Sequence, residues 1–195
     1  MSDVPTAADA ARNDAAWCDA MGRAHGAAGE TRADFWWTRA PMPRPYPNLV
    51  TLRPAPAPAL RAIESLVAAG LAGAWGVKDA FGVLDLAPLG FRLLLDGAWF
   101  GRPAARAAPE RGDAALRWSR VDAAPALAAW ATAWGESAGA APIFLPALLA
   151  RNDVAIVGWR AGAGLGALAP FGREALGPLR GWLRDDAARG AGAAR

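Results

Sequence analysis

The 195-residue sequence contains one cysteine, one histidine, one lysine and one tyrosine, and each scarcity closes off some chemistry. With Cys18 alone, no disulfide can form within the chain, which is the habit of proteins kept in a reducing cytoplasm. With His25 alone, a Ser-His-Asp arrangement has a single place to start, and one soft sulfur plus one imidazole is too few ligands for a zinc site. Cys18 and His25 lie seven residues apart. On a helix that spacing is about 10 Å, beyond the hydrogen-bond reach a Cys–His nucleophile pair needs. A buried thiol and a histidine at a helix end is the simpler reading. The longest apolar runs, near Leu66–Val77 and Pro142–Ala150, are too short to span a bilayer. The first sixteen residues carry Asp3, Asp9 and Asp14 and no apolar stretch, so a signal peptide is not expected. No Walker-type phosphate loop is present. The expectation is a cytoplasmic protein that binds neither membrane nor metal.

Hydrophobic residues make up 54% of the chain, enough to exclude disorder of the whole. Ten tryptophans supply large aromatic surfaces for a core or a groove. The net charge of +3 sits in the last segment, where residues 151–195 hold seven arginines against four acidic residues. A nucleic-acid surface would interleave clustered Lys and Arg, so nucleic acid is not an expected partner.

Thr6 reads as a helix N-cap before an alanine-rich run that places Trp17 and Met21 on one face, with Gly26 and Gly29 ending the helix. Phe35–Thr38, Asn48–Leu52 and Ala74–Val77 read as strands. Leu60, Ile63, Leu66 and Val67 have helical spacing, stopped by Gly70. Phe81–Leu86 fits helix or strand, Phe91–Phe100 reads as a strand, and Gly101–Gly112 as a linker. A second unit opens at Leu116. Leu116–Val121 alternates like a strand, Asp122 reads as an N-cap, and Leu127, Trp130 and Trp134 form a stripe. Ile143–Leu149 reads as a short helix and Val154–Val157 as a second strand. Beyond Gly158 the pattern decays. Residues 162–166 look like loop, Leu176–Leu183 has helical spacing broken by Gly177-Pro178, and Ala187–Arg195 reads as a frayed tail.

Gly162, Gly164 and Ala167 fit a G-x-G-x-x-A pattern after a strand. A dinucleotide site would need amides at a helix start directly after the strand and an acidic ribose contact further on. Four residues separate the strand from Gly162, so a surface loop is the expected alternative. The densest mixture of aromatic and charged groups is Trp75, Lys78, Asp79 and Asp85. Together with Trp36 and Tyr46, which could stack a planar ligand, these six are the candidate pocket residues. A surface ion pair and ordinary core packing are the competing explanations.

Three segments, Tyr46–Leu52, Trp75–Phe81 running on to Leu84-Asp85-Leu86, and Gly90-Phe91-Arg92 to Trp99-Phe100, together resemble bacterial GNAT-like proteins. These are members of the N-acetyltransferase superfamily with an extra N-terminal region, and the resemblance covers about Trp17 to Trp159. It implies an α+β fold, a mixed sheet with flanking helices. The N-terminal region would occupy residues 1–110. Residues 116–160 would be a partial acetyltransferase-like unit of strand, two helices and strand. Acetyl-CoA is the cofactor it implies, held by amides of an Arg/Gln-x-x-Gly-x-Gly/Ala loop at a helix start. Counting from Arg160, that loop would need glycine where Ala163 stands. No further strand pair is expected after Val157, and residues 161–195 are expected to be degenerate relative to the family. The implied function is an acyltransferase of unknown substrate, weak or inactive. A non-catalytic small-molecule-binding or protein-interaction module is the alternative. An open sheet edge would also allow a homodimer.

Overall fold

The computed structural model describes residues 5–71, 73–101, 116–137, 139–161, 164–167 and 174–185. In chain order its elements are α1 (Ala7–Ala24), β1 (Glu30–Thr31), β2 (Phe35–Trp37), β3 (Leu49–Thr51), α2 (Pro56–Ala68), β4 (Ala74–Asp79), a 3₁₀ turn (Ala87–Leu89) and β5 (Arg92–Gly101). Then follow β6 (Leu116–Arg120), α3 (Ala124–Trp134), a 3₁₀ turn (Pro146–Ala150), β7 (Val157–Ala161), β8 (Gly164–Ala167) and β9 (Glu174–Asp185). The chain divides into two units, residues 1–103 with 172–195, and residues 104–171. The fold is α+β, as expected.

The first unit is a mixed six-stranded sheet in the order β1-β2-β3-β4-β9-β5. Only β3 and β4 run parallel, with Leu49 opposite Val77 and Val50 opposite Lys78, and α2 connects them. Strand alternation sorts side chains to the two faces. On one face Leu49, Trp75, Val77 and Trp182 pack with Ala59, Ala62, Ile63 and Leu66 of α2. Ile63 and Leu66 are fully buried, and each contributes roughly 1.5–3 kcal/mol relative to exposure. On the other face Trp36, Val50 and Leu52 pack with Ala11, Ala15 and Cys18 of α1. Small residues on α1 let the helix approach the sheet closely. Thr6 does cap α1: its hydroxyl accepts from the Asp9 amide at 3.2 Å, and the Asp9 carboxylate accepts from the Thr6 amide at 2.9 Å, a reciprocal capping box.

Strand β9 departs from the sequence reading. Leu176–Leu183 has helical spacing interrupted by Gly177-Pro178, in a segment expected to be degenerate or flexible, but residues 174–185 form an interior strand between β4 and β5. Gly177-Pro178 weakens a helix there, while two waiting strand edges satisfy an extended backbone. Pro178 lies opposite Ala98 of β5, and the ladder with β4 begins only at Arg180. The missing proline N–H therefore costs no bond on the β4 side.

The second unit is an antiparallel sheet, β6-β7-β8, carrying α3. Three expectations are corrected. The second strand spans Val157–Ala161 rather than Val154–Val157, because Val154 and Ile156 turn inward on extended chain ahead of the ladder. In place of the short helix expected over Ile143–Leu149 there is a 3₁₀ turn over Pro146–Ala150. One further strand follows β7 in this sheet: Gly164–Ala167, which overlaps the expected loop at 162–166, pairs with β7 from Gly158↔Ala167 to Ala161↔Gly164. Phe81–Leu86 is neither helix nor strand but a turn-rich loop. The expected linker beyond Gly101 and the expected tail, 187–195, lie outside the described residues.

Candidate functional site

Strand β4 sends Trp75 and Val77 toward α2, and Lys78 toward α1. Lys78 Nζ donates to Asp14 Oδ1 at 2.7 Å, with both side chains mostly out of solvent. One turn further along α1, Cys18 Sγ lies 3.9 Å from Asp14 Oδ2. Burial pushes the Cys18 thiol well up from its ordinary value; the Asp14 charge pushes it further, and Lys78 opposes them. A protonated, enclosed thiol is a poor nucleophile. His25 is the C-cap residue of α1. The Asp14–Lys78–Cys18 group therefore ties a helix to a strand.

The six candidate pocket residues do not converge. Trp36 is buried on the α1 face, its indole donating to Asp19 Oδ1 at 3.2 Å. Asp19 also accepts from Arg23 Nε and the Gly29 amide. Burial pushes its carboxyl up, and these three hydrogen bonds outweigh that, leaving it below the usual carboxylate value. Tyr46 is partly buried on the same face, its hydroxyl accepting from Trp17 Nε1 at 3.2 Å. Trp75 is buried on the opposite face, edge-on to Phe91 with ring centres 4.8 Å apart. Asp79 is fully buried at the end of β4. Its carboxylate accepts from the Leu84 amide at 2.7 Å, the Phe81 amide at 3.2 Å and the Thr51 hydroxyl at 3.5 Å, which sets the course of the loop that follows. Asp85 is exposed and accepts from the Ala87 amide at 3.2 Å. The sheet thus separates Trp36 from Trp75, and no single groove unites them.

A concave site does exist in the second unit. A cavity of about 310 Å³ is bounded by Arg120, Val121, Asp122, Leu148, Leu149, Val154 and Ile156. The end of β6, the 3₁₀ turn and the extended chain before β7 create it, held by a hydrogen bond from the Val121 amide to the Ile156 carbonyl at 2.8 Å. Val121, Leu148, Val154 and Ile156 are buried and form an apolar floor. Arg120 and Asp122 are exposed. Arg120 Nη2 donates to the Val154 carbonyl at 3.0 Å, and no ion pair joins Arg120 to Asp122 among the described residues. Behind α3, Trp130 and Trp134 both pack edge-on against Phe144, and Glu136 accepts from the Ile143 and Phe144 amides at 2.8 and 3.0 Å.

Sequence reasoning missed this cavity because its residues are spread over 120–156 and Asp122 looks like a helix cap. The N-cap is instead Ala123, and no side chain caps α3, so the Asp122 carboxylate faces solvent beside the cavity. The available signal was an arginine and an aspartate on either side of a buried valine.

Among the described residues no cluster of His, Cys, Asp or Glu is placed to hold a metal ion, and no helix is long and apolar enough to cross a membrane. No protein-family model, curated protein or solved structure matches the chain.

Proposed function

We propose that residues 116–167 form an N-acetyltransferase-like unit whose hold on acetyl-CoA is weak or absent, making the chain a superfamily member of low or no acyl-transfer activity. The observation that carries this reading is the order strand, helix, 3₁₀ turn, strand, strand within one antiparallel sheet. The resemblance implies a strand, two helices and a second strand over residues 116–160, and this order follows it in part, with a 3₁₀ turn where the second helix is implied and β8 added beyond. The family holds the cofactor pyrophosphate on glycine-rich amides at a helix start. Residues 164–167 do not fit that role, since their backbone is a strand paired to β7. Acyl transfer gains much of its rate from fixing the amine against the thioester, so a lost grip on the cofactor removes most of it. A stretch with the family's loop form also occurs at Arg189-Gly190-Ala191-Gly192-Ala193-Ala194, outside the described residues.

A thermal-shift series with millimolar acetyl-CoA tests the proposal, since a ligand that binds only the folded chain raises its melting temperature. The melting temperature should stay put, with no thiol release in the presence of primary amines. A saturable rise with thiol release would overturn it, and deletion of residues 189–194 would then show whether that stretch is the grip.

The second reading, a non-catalytic small-molecule-binding module, is favoured by the cavity beside Arg120 and Asp122. Opposite charges on Arg120 and Asp122, with no ion pair between them among the described residues, beside buried apolar residues suit a small zwitterion with an apolar side chain, such as a free aliphatic amino acid. Stabilisation by such amino acids that is lost in Arg120→Ala would favour this reading, and no stabilisation would exclude it.

A further inference from the structure

Strand β5 is an edge of the six-stranded sheet, paired with β9 on one side and with no described strand on the other. Edge strands expose a row of unpaired N–H and C=O groups, and they are normally kept polar. Here Leu93, Leu94 and Leu95 are 45%, 55% and 49% exposed. Three consecutive exposed leucines on an unpaired edge form an apolar patch of a kind that marks contact surfaces. The strand bulges between Leu93 and Leu95, so Leu94 has no counterpart on β9.

The edge reads Arg92-Leu93-Leu94-Leu95-Asp96. A two-fold axis through Leu94 would set a second copy antiparallel, with Arg92 opposite Asp96, Leu93 opposite Leu95 and Leu94 opposite itself. Both charge pairs are then of opposite sign and flank a closed apolar centre. Shifting the register by one residue sets the charges against apolar neighbours, and parallel pairing in register sets like charges together, which is destabilising across strands. Both charges are available. Arg92 has no ion pair among the described residues, and Asp96 meets its own Arg180 only at 3.7 Å with 60% of its side chain exposed. We propose that this edge joins two copies of the chain in an isologous dimer that continues the sheet from one copy into the other. The proposal does not depend on the acetyltransferase reading.

Sedimentation velocity on the full chain across a concentration series tests it, with circular dichroism and melting curves confirming that each variant folds. The wild type should sediment at twice the chain mass. Arg92→Asp, which sets Asp against Asp96, should weaken the dimer about tenfold or more. Leu94→Lys, at an exposed position, should do the same. Combining Arg92→Asp with Asp96→Arg exchanges the signs and should restore it. A wild type that stays monomeric, as it would if another part of the same chain covered the edge, would overturn the proposal. So would a dimer unaffected by either single change, or a folded double variant that stays monomeric. If the double variant fails to fold, the two single variants decide.

Discussion

Lys78 and Asp14, 64 positions apart in sequence, meet at 2.7 Å with only 25% and 15% of their side chains exposed, and their contact fastens α1 to the strand at the centre of the core. Removing one partner leaves the other charge partly enclosed and unpaired. Loss of a fully buried partner costs roughly 3–5 kcal/mol, and partial exposure here reduces that to about 2 kcal/mol. Lys78→Met and Asp14→Asn should each lower the urea midpoint accordingly, and the double variant should lose less than the two combined. Additive losses would show that the contact is not energetically coupled.

Cys18 should be silent in the native protein. It has no exposed surface, and burial, followed by the Asp14 charge, keeps the thiol protonated. Labelling with a thiol reagent at mildly alkaline pH should be slow in buffer and fast in denaturant. Rapid stoichiometric labelling under native conditions would show that α1 opens readily from the sheet.

Two carboxylates on α1 make acid stability predictable. The hydrogen bond from the Thr6 hydroxyl, followed by the Thr6 amide and Arg12, lowers Asp9 from 3.8 to about 2. Asp19 is raised by burial but lowered overall by Arg23, the Trp36 indole and the Gly29 amide. Both values are depressed by folding, so the unfolded chain binds more protons once the pH drops below the ordinary carboxylate value. Their stabilisation is fully present above the unfolded value of 3.8 and is lost as the pH falls below it, for Asp9 down toward about 2. The midpoint of denaturation should fall across that window, and Asp9→Asn and Asp19→Asn should each flatten the fall. An unchanged slope in both variants would assign the acid sensitivity to other groups.

Asp79 was a pocket candidate, yet its three acceptor contacts point to loop shaping. Asp79→Ala strands the Phe81 and Leu84 amides, and hydrogen bonds to a charged acceptor contribute about 1.5–3 kcal/mol each. The variant should lose about 3 kcal/mol or more in urea unfolding. Thr51→Val, which removes the longest of the three contacts and also strands the Ala80 amide that donates to the Thr51 hydroxyl at 2.8 Å, should lose about 1–3 kcal/mol.

Local physics made much of the fold readable. Thr6 announced α1 by its capping chemistry, Ile63 and Leu66 announced α2 by their spacing, and β3 and β4 announced themselves by β-branched and aromatic content. Strand β9 was hidden because its identity depends on β4 and β5, about a hundred residues earlier, while its own Leu179, Trp182 and Leu183 carry helical spacing. The glycines of β8 carry no side-chain alternation, so nothing local distinguishes that strand from a loop. The pocket candidates failed to gather because adjacency in sequence does not reveal which face of a sheet a residue takes. Trp36 and Trp75 fell on opposite faces, and the Arg120–Asp122 cavity drew on segments thirty residues apart.

The acetyltransferase-like reading with a weak or missing cofactor grip meets its most direct test in calorimetric titration of acetyl-CoA into the full chain. The predicted result is no saturable heat up to about 1 mM ligand, binding weaker than about −4 kcal/mol. A saturating isotherm with a tighter dissociation constant would contradict it.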